Sequence, residues 1–285
     1  LIKSLIKDAR VEVLQALPIR AAIINLEFLK YHGRLPRLSP PETFNEKIAH
    51  RKLYDRDPRM PRLADKILVK QHVSDLLGPE WTIPTLWSGE ALPPREERNW
   101  QTPYVLKASH GCGWNIFVNS PEDEDWDRIE KTTEKWLKKT YGQRGREWLY
   151  SQIKPGLLVE PFVGARGAAP PDYKFFVFGG RTAFVQVDLD RFDVHRQFFY
   201  DTHWDRQSFT YVCPFDEEEI ERPASFERMV VAADLLGAPF SFVRVDLYEV
   251  EEKPLFGEFT FYPNGGRYEF KPESVERELG NFWLA

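Results

Sequence analysis

The chain has 285 residues, of which 42% are hydrophobic and 29% charged, a balance too apolar for a disordered protein and long enough for two domains with a substantial core. Lys and Arg number 39 against 44 Asp and Glu, giving a formal charge of −5, so nothing global calls for nucleic acid. Cys112 and Cys213 are too few for a disulfide scaffold and point to a reducing compartment; the six scattered histidines give no zinc spacing, and no apolar run approaches the ~20 residues of a membrane helix. The first residue is Leu1 rather than Met, so an extension carrying a targeting signal can precede it.

Residues 1–35 have apolar positions at helical spacing cut by Pro18, which predicts two helices. Residues 1–37 hold seven basic and three acidic side chains. They suit a helical cover with a solvated basic face, and alternatively a membrane surface. Thr43 and Glu46 form a T-x-x-E capping box ahead of a helix with Ile48 and Leu53. Residues 63–78 read as one more helix closed by Gly78, and Pro79, Pro84, Pro93 and Pro94 mark irregular connections. YVLKAS (104–109) is a strand, HGCGWN a loop and IFVN a second strand. Residues 121–150 look helical, with Ser120 as cap and the acids of PEDEDWD in the first turn, where the helix dipole favours them, rather than in a metal site.

LLVEPFV (157–163) leads through a Gly/Ala/Pro-rich linker to DYKFFVF and RTAFVQVDL, a hairpin on Gly179-Gly180. Residues 216–236 read as a helix with an acidic start, and SFVRVDLYEV and LFGEFTF as two further strands. The order predicts an α+β fold, or α/β with antiparallel sheets.

Strand alternation places Arg244 and Asp246 on one face of SFVRVDLYEV and Glu258 and Thr260 on one face of LFGEFTF. A three-residue turn at 251–253 sets Asp246 opposite Glu258 and Arg244 opposite Thr260. Opposed carboxylates repel, and a divalent cation between them, Mg²⁺ above all, removes the repulsion; otherwise both face water or Arg244 neutralises one. Lys107 precedes a β–loop–β glycine flap (Gly111, Gly113) whose backbone N–H groups can cover phosphate oxygens, with Ser109, His110 and Asn115 as further donors or turn formers. Cys112 sits in that hairpin loop rather than at a helix start, which argues against a cysteine hydrolase. Glu160 with Pro161, Phe162 and Val163 forms a hinge able to offer backbone donors and acceptors to a flat heterocycle. Asp172 and Lys174 share a strand face that suits a ribose or a phosphate, or form an ion pair worth little.

In this order the stretches TFNEKI, LADKILVKQHV, YVLKASHGCGWNIFV, LLVEPFV, PDYKFFVFGG, FVRVDLY and FGEFTFYPNGG, within residues 43–266, resemble the ATP-grasp superfamily and its TupA-like branch, associated with teichuronopeptide and related polysaccharide biosynthesis. The resemblance implies two α+β lobes enclosing a nucleotide cleft, residues 63–160 and 161–285, after a helical region at 1–62. It implies ATP phosphates on Lys66 or Lys70 and on Lys107 under the 109–115 loop, adenine at Glu160 through Val163, ribose at Asp172, and Mg²⁺ on Asp246 and Glu258. Where many relatives read E-x-N this chain has Glu258-Phe259-Thr260, with Asn264 nearby.

The implied activity is an ATP- and Mg²⁺-dependent carboxylate–amine ligase acting through an acyl phosphate, with Lys107, Lys174 and Arg244 stabilising charge. Its acceptor would be a uronic acid of a polysaccharide, its amine an amino acid or simple amine, and its partners polysaccharide assembly enzymes. A kinase acting on a sugar and a non-catalytic carbohydrate-binding subunit are the alternatives. ATP supply implies a cytoplasmic location, at the inner membrane face if the basic N-terminal helices dock there.

Overall fold

The computed structural model describes residues 17–142, 146–164, 170–189 and 194–284. Helix α1 (Leu17–His32) buries Ile24 and Phe28 against Ala49 and Leu53 of α2 (Phe44–Tyr54), so this segment is a cover packed on the body. Pro18 lies at its start, where a missing N–H costs no helical bond. The helix expected within residues 1–16 falls outside the described residues. The capping box forms as the sequence requires: Thr43 accepts from the Glu46 N–H, and Glu46 reaches back to the Thr43 N–H at 3.1 Å. Burial opposes the Glu46 charge, but Arg34 and the N–H groups of Arg37, Thr43 and Glu42 pull its carboxyl down to about 2.

The chain continues through α3 (Arg59–Ala64) and α4 (Leu68–Leu77) to strands β1 (Trp87–Gly89), β2 (Tyr104–Ala108) and β3 (Asn115–Val118), helix α5 (Trp126–Leu137) and β4 (Leu157–Pro161). These strands make an antiparallel sheet in the order β1-β4-β2-β3. A second antiparallel sheet, ordered β7-β6-β5-β8-β9, follows from β5 (Asp172–Phe178), β6 (Arg181–Leu189), β7 (Arg196–Tyr200), β8 (Val243–Val250) and β9 (Lys253–Thr260). Helix α6 (Phe226–Gly237) packs on that sheet, and α7 (Glu273–Phe282) packs on α2.

Four expectations need correction. The single helix at 63–78 is two, because Asp65 Oδ1 accepts from the N–H groups of Ile67 (2.8 Å) and Leu68 (3.3 Å) and turns the chain between α3 and α4. The helix expected over 121–150 is α5 alone between short 3₁₀ turns at Pro121–Asp123 and Trp148–Gln152. The helix expected from 216 begins only at Phe226, since Pro223 lacks a donor and its ring would clash with a helical turn through 219. Strands β1 and β7 and helix α7 lie where no element was expected.

The middle of one face of the five-stranded sheet is apolar: Phe175, Val185, Val245 and Leu247 are fully buried, and Phe175 stacks on Phe226 of α6. The opposite face is divided. Phe176, Phe184 and Phe199 meet Phe44 of α2 and Phe270 in an aromatic cluster, while Lys174, Gln186, Asp246 and Glu258 stay outside it. Most aromatic residues therefore serve the core, each fully buried ring contributing about 2–3 kcal/mol.

Backbone meets backbone where α7 crosses the start of α2: a Cβ at Gly280 would stand 1.8 Å from the Glu42 carbonyl oxygen. Gly280→Ala should cost about 3 kcal/mol in urea unfolding, because neither backbone can yield cheaply. Glu276 clamps the same junction, accepting from Asn45 N (3.2 Å), Asn45 Nδ2 (2.9 Å) and Phe270 N (2.9 Å). Burial pushes its carboxyl from 4.5 to about 7 despite those donors. Above the unfolded value the folded chain keeps a proton that the unfolded chain has released, so this group's share of stability, on the order of 3 kcal/mol, falls as pH rises from 4.5 to about 7. Glu276→Gln should remove that slope, so the urea midpoint of the variant should rise relative to wild type between about pH 5 and about pH 8.

Candidate active site

A cleft lies between the two sheets, lined by Lys66, Lys70, Lys107, Glu160, Asp172 and Glu258, and it runs into a more apolar hollow lined by Val105, Phe117, Phe162, Val163 and Tyr248. The turn that splits α3 from α4 places the first lysine. Its backbone N–H donates to Ser109 O at 3.2 Å, and Lys66 Nζ donates to Gly111 O at 2.7 Å while lying 3.5 Å from Glu258 Oε2. Lys66 thus spans the gap between the glycine loop and the second sheet.

Lys70, one helical turn on, donates to Ile83 O (2.6 Å) and Thr85 Oγ1 (2.7 Å) and pairs with Glu160. In the β2–β4 register Lys107 faces Leu158 and Val105 faces Glu160, so Lys107 and Glu160 are diagonal neighbours on one face, their charged atoms 2.6 Å apart. Burial raises the Glu160 carboxyl, but Lys107 and Lys70 more than offset it and its pKa falls below the ordinary value. For Lys70 burial wins and its pKa is lowered. The hinge expected to hold a heterocycle is therefore also an ion-pair hub.

The loop between β2 and β3 is closed by Ala108 N donating to Trp114 O at 3.0 Å, and Gly113 adopts φ +71°, a left-handed conformation that favours glycine. Gly113, Cys112 and Asn115 reach the cleft. Ser109 and His110 do not. Both are about 1% exposed: Ser109 N donates to Gly156 O at 2.9 Å, and His110 Nε2 lies 3.1 Å from Trp136 O. They brace the loop from behind, which is the turn-stabilising role the sequence left open for His110 beside that of a phosphate donor.

Across the cleft the sheet aligns Gln186, Lys174, Asp246 and Glu258 side by side on four strands, with Asp188, Asp172 and Tyr248 in the next row. Asp246 does oppose Glu258, and Arg244 opposes Thr260. Two departures from the expected hairpin cancel to give this pairing. The turn has two residues, Glu251 and Glu252 at φ 50° and 60°, and a bulge at Gly257 restores the phase. The acids are not left to repel each other. Arg244 binds Asp246 through Nε–Oδ1 (2.7 Å) and Nη2–Oδ2 (2.6 Å) and donates to Thr260 Oγ1 at 3.1 Å, while Lys66 stands by Glu258. Burial opposes the Arg244 charge, but Asp246 outweighs it and raises the guanidinium pKa.

Lys174 is buried between Asp172 and Asp188, the latter at 2.8 Å. Gln186 Nε2 donates to Asp188 Oδ1 at 2.8 Å and His195 Nε2 lies 3.4 Å from the same oxygen. Burial would raise the Asp188 carboxyl; His195 and Lys174 hold it far below the ordinary value. Sequence reasoning missed Asp188, Gln186 and His195. The Gly179-Gly180 hairpin was legible, but a register shift after Phe176 decides which residues of β6 face Lys174.

Among the described residues no group of three or more His, Cys, Asp or Glu side chains forms a metal cage. Asp246 and Glu258 are hard oxygen donors on neighbouring strands, a type of set that suits Mg²⁺ when phosphate oxygens complete the shell, and Arg244 holds both oxygens of Asp246 here.

Two antiparallel sheets thus close on a lysine-lined cleft beneath a glycine loop. The family model described as TupA-like ATPgrasp matches residues 46–284, and the chain belongs to that family. Among solved structures the chain is similar to D-alanine–D-alanine ligase from Bacillus anthracis complexed with ATP (15% identity, 70% of this chain and 53% of that one, TM-score 0.40). It is also similar to L-amino acid ligase from Bacillus licheniformis (12%, 86% and 55%, TM-score 0.45) and to N5-carboxyaminoimidazole ribonucleotide synthetase from Thermus thermophilus (16%, 76% and 52%, TM-score 0.43). The chain spans about half the length of these proteins. It matches no curated protein.

Removing the charge of Glu160 leaves two lysines facing each other in a buried setting. Glu160→Gln should destabilise the chain by about 3 kcal/mol or more in urea unfolding, and inorganic tripolyphosphate should restore part of the loss by occupying the lysines.

Proposed function

We propose that this chain is an ADP-forming ligase that joins the carboxyl of a uronic acid in a saccharide to an amine or amino acid. The observation that carries the reading is one cleft lined by Lys66, Lys70, Lys107, Glu160, Asp172 and Glu258, with Asp246 paired to Glu258 on the neighbouring strand. Residues 63–160 and 161–285 are the two lobes of this reading, with 1–62 as the helical region. The apolar hollow beside Phe162, Val163 and Tyr248 suits adenine, and Asp172 at its edge suits ribose. A Mg²⁺ ion held by Asp246 and Glu258 would neutralise phosphate charge and orient the γ-phosphate.

In the first step a carboxylate oxygen attacks the γ-phosphorus and the bond to the β-phosphate oxygen breaks, giving an acyl phosphate and ADP. Lys66 and Lys107 balance the charge that moves onto the leaving diphosphate. Arg244 is permanently cationic and can bind two oxygens at once, which suits the acyl phosphate and the oxyanion that follows. The amine nitrogen then attacks the carbonyl carbon, phosphate leaves with the C–O bonding pair, and the ammonium proton passes to phosphate or solvent. Gly113 and Cys112, which line the cleft from the loop, would close over the phosphates and keep water from the acyl phosphate. The use of ATP places the reaction in the cytoplasm, next to enzymes that assemble the polysaccharide. Among the described residues no helix is long and apolar enough to cross a membrane.

Lys107→Ala and Asp246→Asn should each lower ADP release by at least about a thousandfold while the far-ultraviolet circular dichroism stays that of the wild type. The assay is a screen of amino acids and amines against uronic acid glycosides, with the product mass measured. An amide product with equimolar phosphate supports the ligase; a stable phosphorylated sugar formed without any amine would replace it with a kinase; wild-type ADP release by either variant would overturn the site.

A further inference from the structure

Around Tyr262, two residues beyond Thr260, the chain gathers three arginines that nothing in the reaction above uses. Two are set by helix chemistry. The last carbonyls of α2 lack helical donors, and the guanidinium groups of Arg20 and Arg56 converge on one of them, the Lys52 oxygen. Arg56 Nη2 also donates to Leu53 O at 2.7 Å, and its plane lies over Trp148 with 5.2 Å to the ring centre. Arg146, two residues before Trp148, is the third. Burial lowers the Arg20 pKa first, and the like charges of Arg56 and Arg146 lower it further.

Among the described residues none of the three arginines has a carboxylate within 4 Å. Nearby acids are committed elsewhere: Asp55 pairs with Arg51 at 3.3 Å, and Glu147 is buried within the fields of Lys52 and Arg267. Two polar atoms here are buried with no hydrogen-bond partner, Arg146 Nε and the hydroxyl of Tyr262, a residue only 4% exposed. Tyr262 stands two residues past Thr260, whose hydroxyl accepts from Arg244. Orphaned polar atoms beside three cations that have no carboxylate partner cost free energy, and a bound oxyanion removes both costs together.

We infer that Arg20, Arg56, Arg146 and the Tyr262 hydroxyl form an anion subsite that takes an oxyanion of the acceptor, separate from the carboxyl that reacts. Its connection to an acceptor rests on the ligase reading; its anion binding does not. The shared chemistry is a carboxylate or phosphate oxygen, supplied by a further uronate residue of a polymer or by the phosphate of an activated precursor. A polyanionic acceptor would be held at two points, with the reacting carboxyl at Arg244 and a second charge beyond Tyr262. That arrangement selects charged chains over isolated uronates.

The test is isothermal titration of the full chain with trigalacturonate and, separately, with inorganic pyrophosphate, each at saturating non-hydrolysable ATP analogue so that the nucleotide lysines are filled. Arg146→Gln and Tyr262→Phe should each weaken the bound probe, by about tenfold and about fivefold, with urea midpoints near wild type and unchanged affinity for the ATP analogue. Binding of trigalacturonate assigns the subsite to a polymer carboxylate, and binding of pyrophosphate assigns it to a phosphate-bearing precursor. The inference is overturned if wild type binds neither probe or if both variants bind them as wild type does. Failure of the wild type to bind the ATP analogue is a separate result, which removes the ligase reading and leaves the anion subsite to stand on the probe titrations.

Discussion

Charge held away from water sets the layout of this protein. Lys174, Asp172, Asp188, Arg244, Asp246 and Glu160 are all buried, and an ion removed from water costs several kcal/mol unless a partner meets it in good geometry. Each has such a partner: Lys174 lies between two aspartates, Arg244 holds Asp246 by two bonds, and Glu160 joins Lys70 and Lys107. Stability alone does not ask for this, because well-packed apolar side chains of the same volume would hold the sheets together at least as well.

In the Glu160 hub one carboxylate lies between two lysines and compensates both. Lys66 behaves likewise, resting between the Gly111 carbonyl and Glu258, and so does Arg244 against Asp246. These cations are thus paired within the chain itself. The covering helices divide the same surface: α2 and Phe270 close the aromatic half of the sheet face, and from the charged half Asp172 and Glu258 line the cleft.

Much of this was legible in the sequence where the signal is local. The Thr43–Glu46 box, the Gly179-Gly180 turn and the alternation of Arg244, Asp246, Glu258 and Thr260 each follow from a few neighbouring residues. What escaped depends on events with no local signature. Asp188 and Gln186 reach Lys174 only because a shift after Phe176 changes the phase of β6. Ser109 and His110 look like loop donors in one dimension, yet Gly156 and Trp136 draw them behind the loop. The acidic run at 216–221 matched a helix start, and Pro223 outweighed it. Arg20 and Arg56 lie far apart in sequence and meet only at a helix end, and Arg146 joins them through tertiary packing.

The two β-bulges have a consequence for how the chain can change over time. One follows Phe176 on the β5–β6 hairpin and the other sits at Gly257 on the β8–β9 hairpin, and each contributes a single unpaired residue that decides which side chains look into the cleft. Loss or gain of one residue in either hairpin would turn the inward set outward and exchange valines for acids, whereas exchange of one side chain leaves the rest in place. Drift by substitution is therefore tolerated along these strands, and drift in their length is not. Gly257 marks where that limit is strictest, since a Cβ there would meet Tyr248 at 2.9 Å and the Asp246 carbonyl at 3.0 Å.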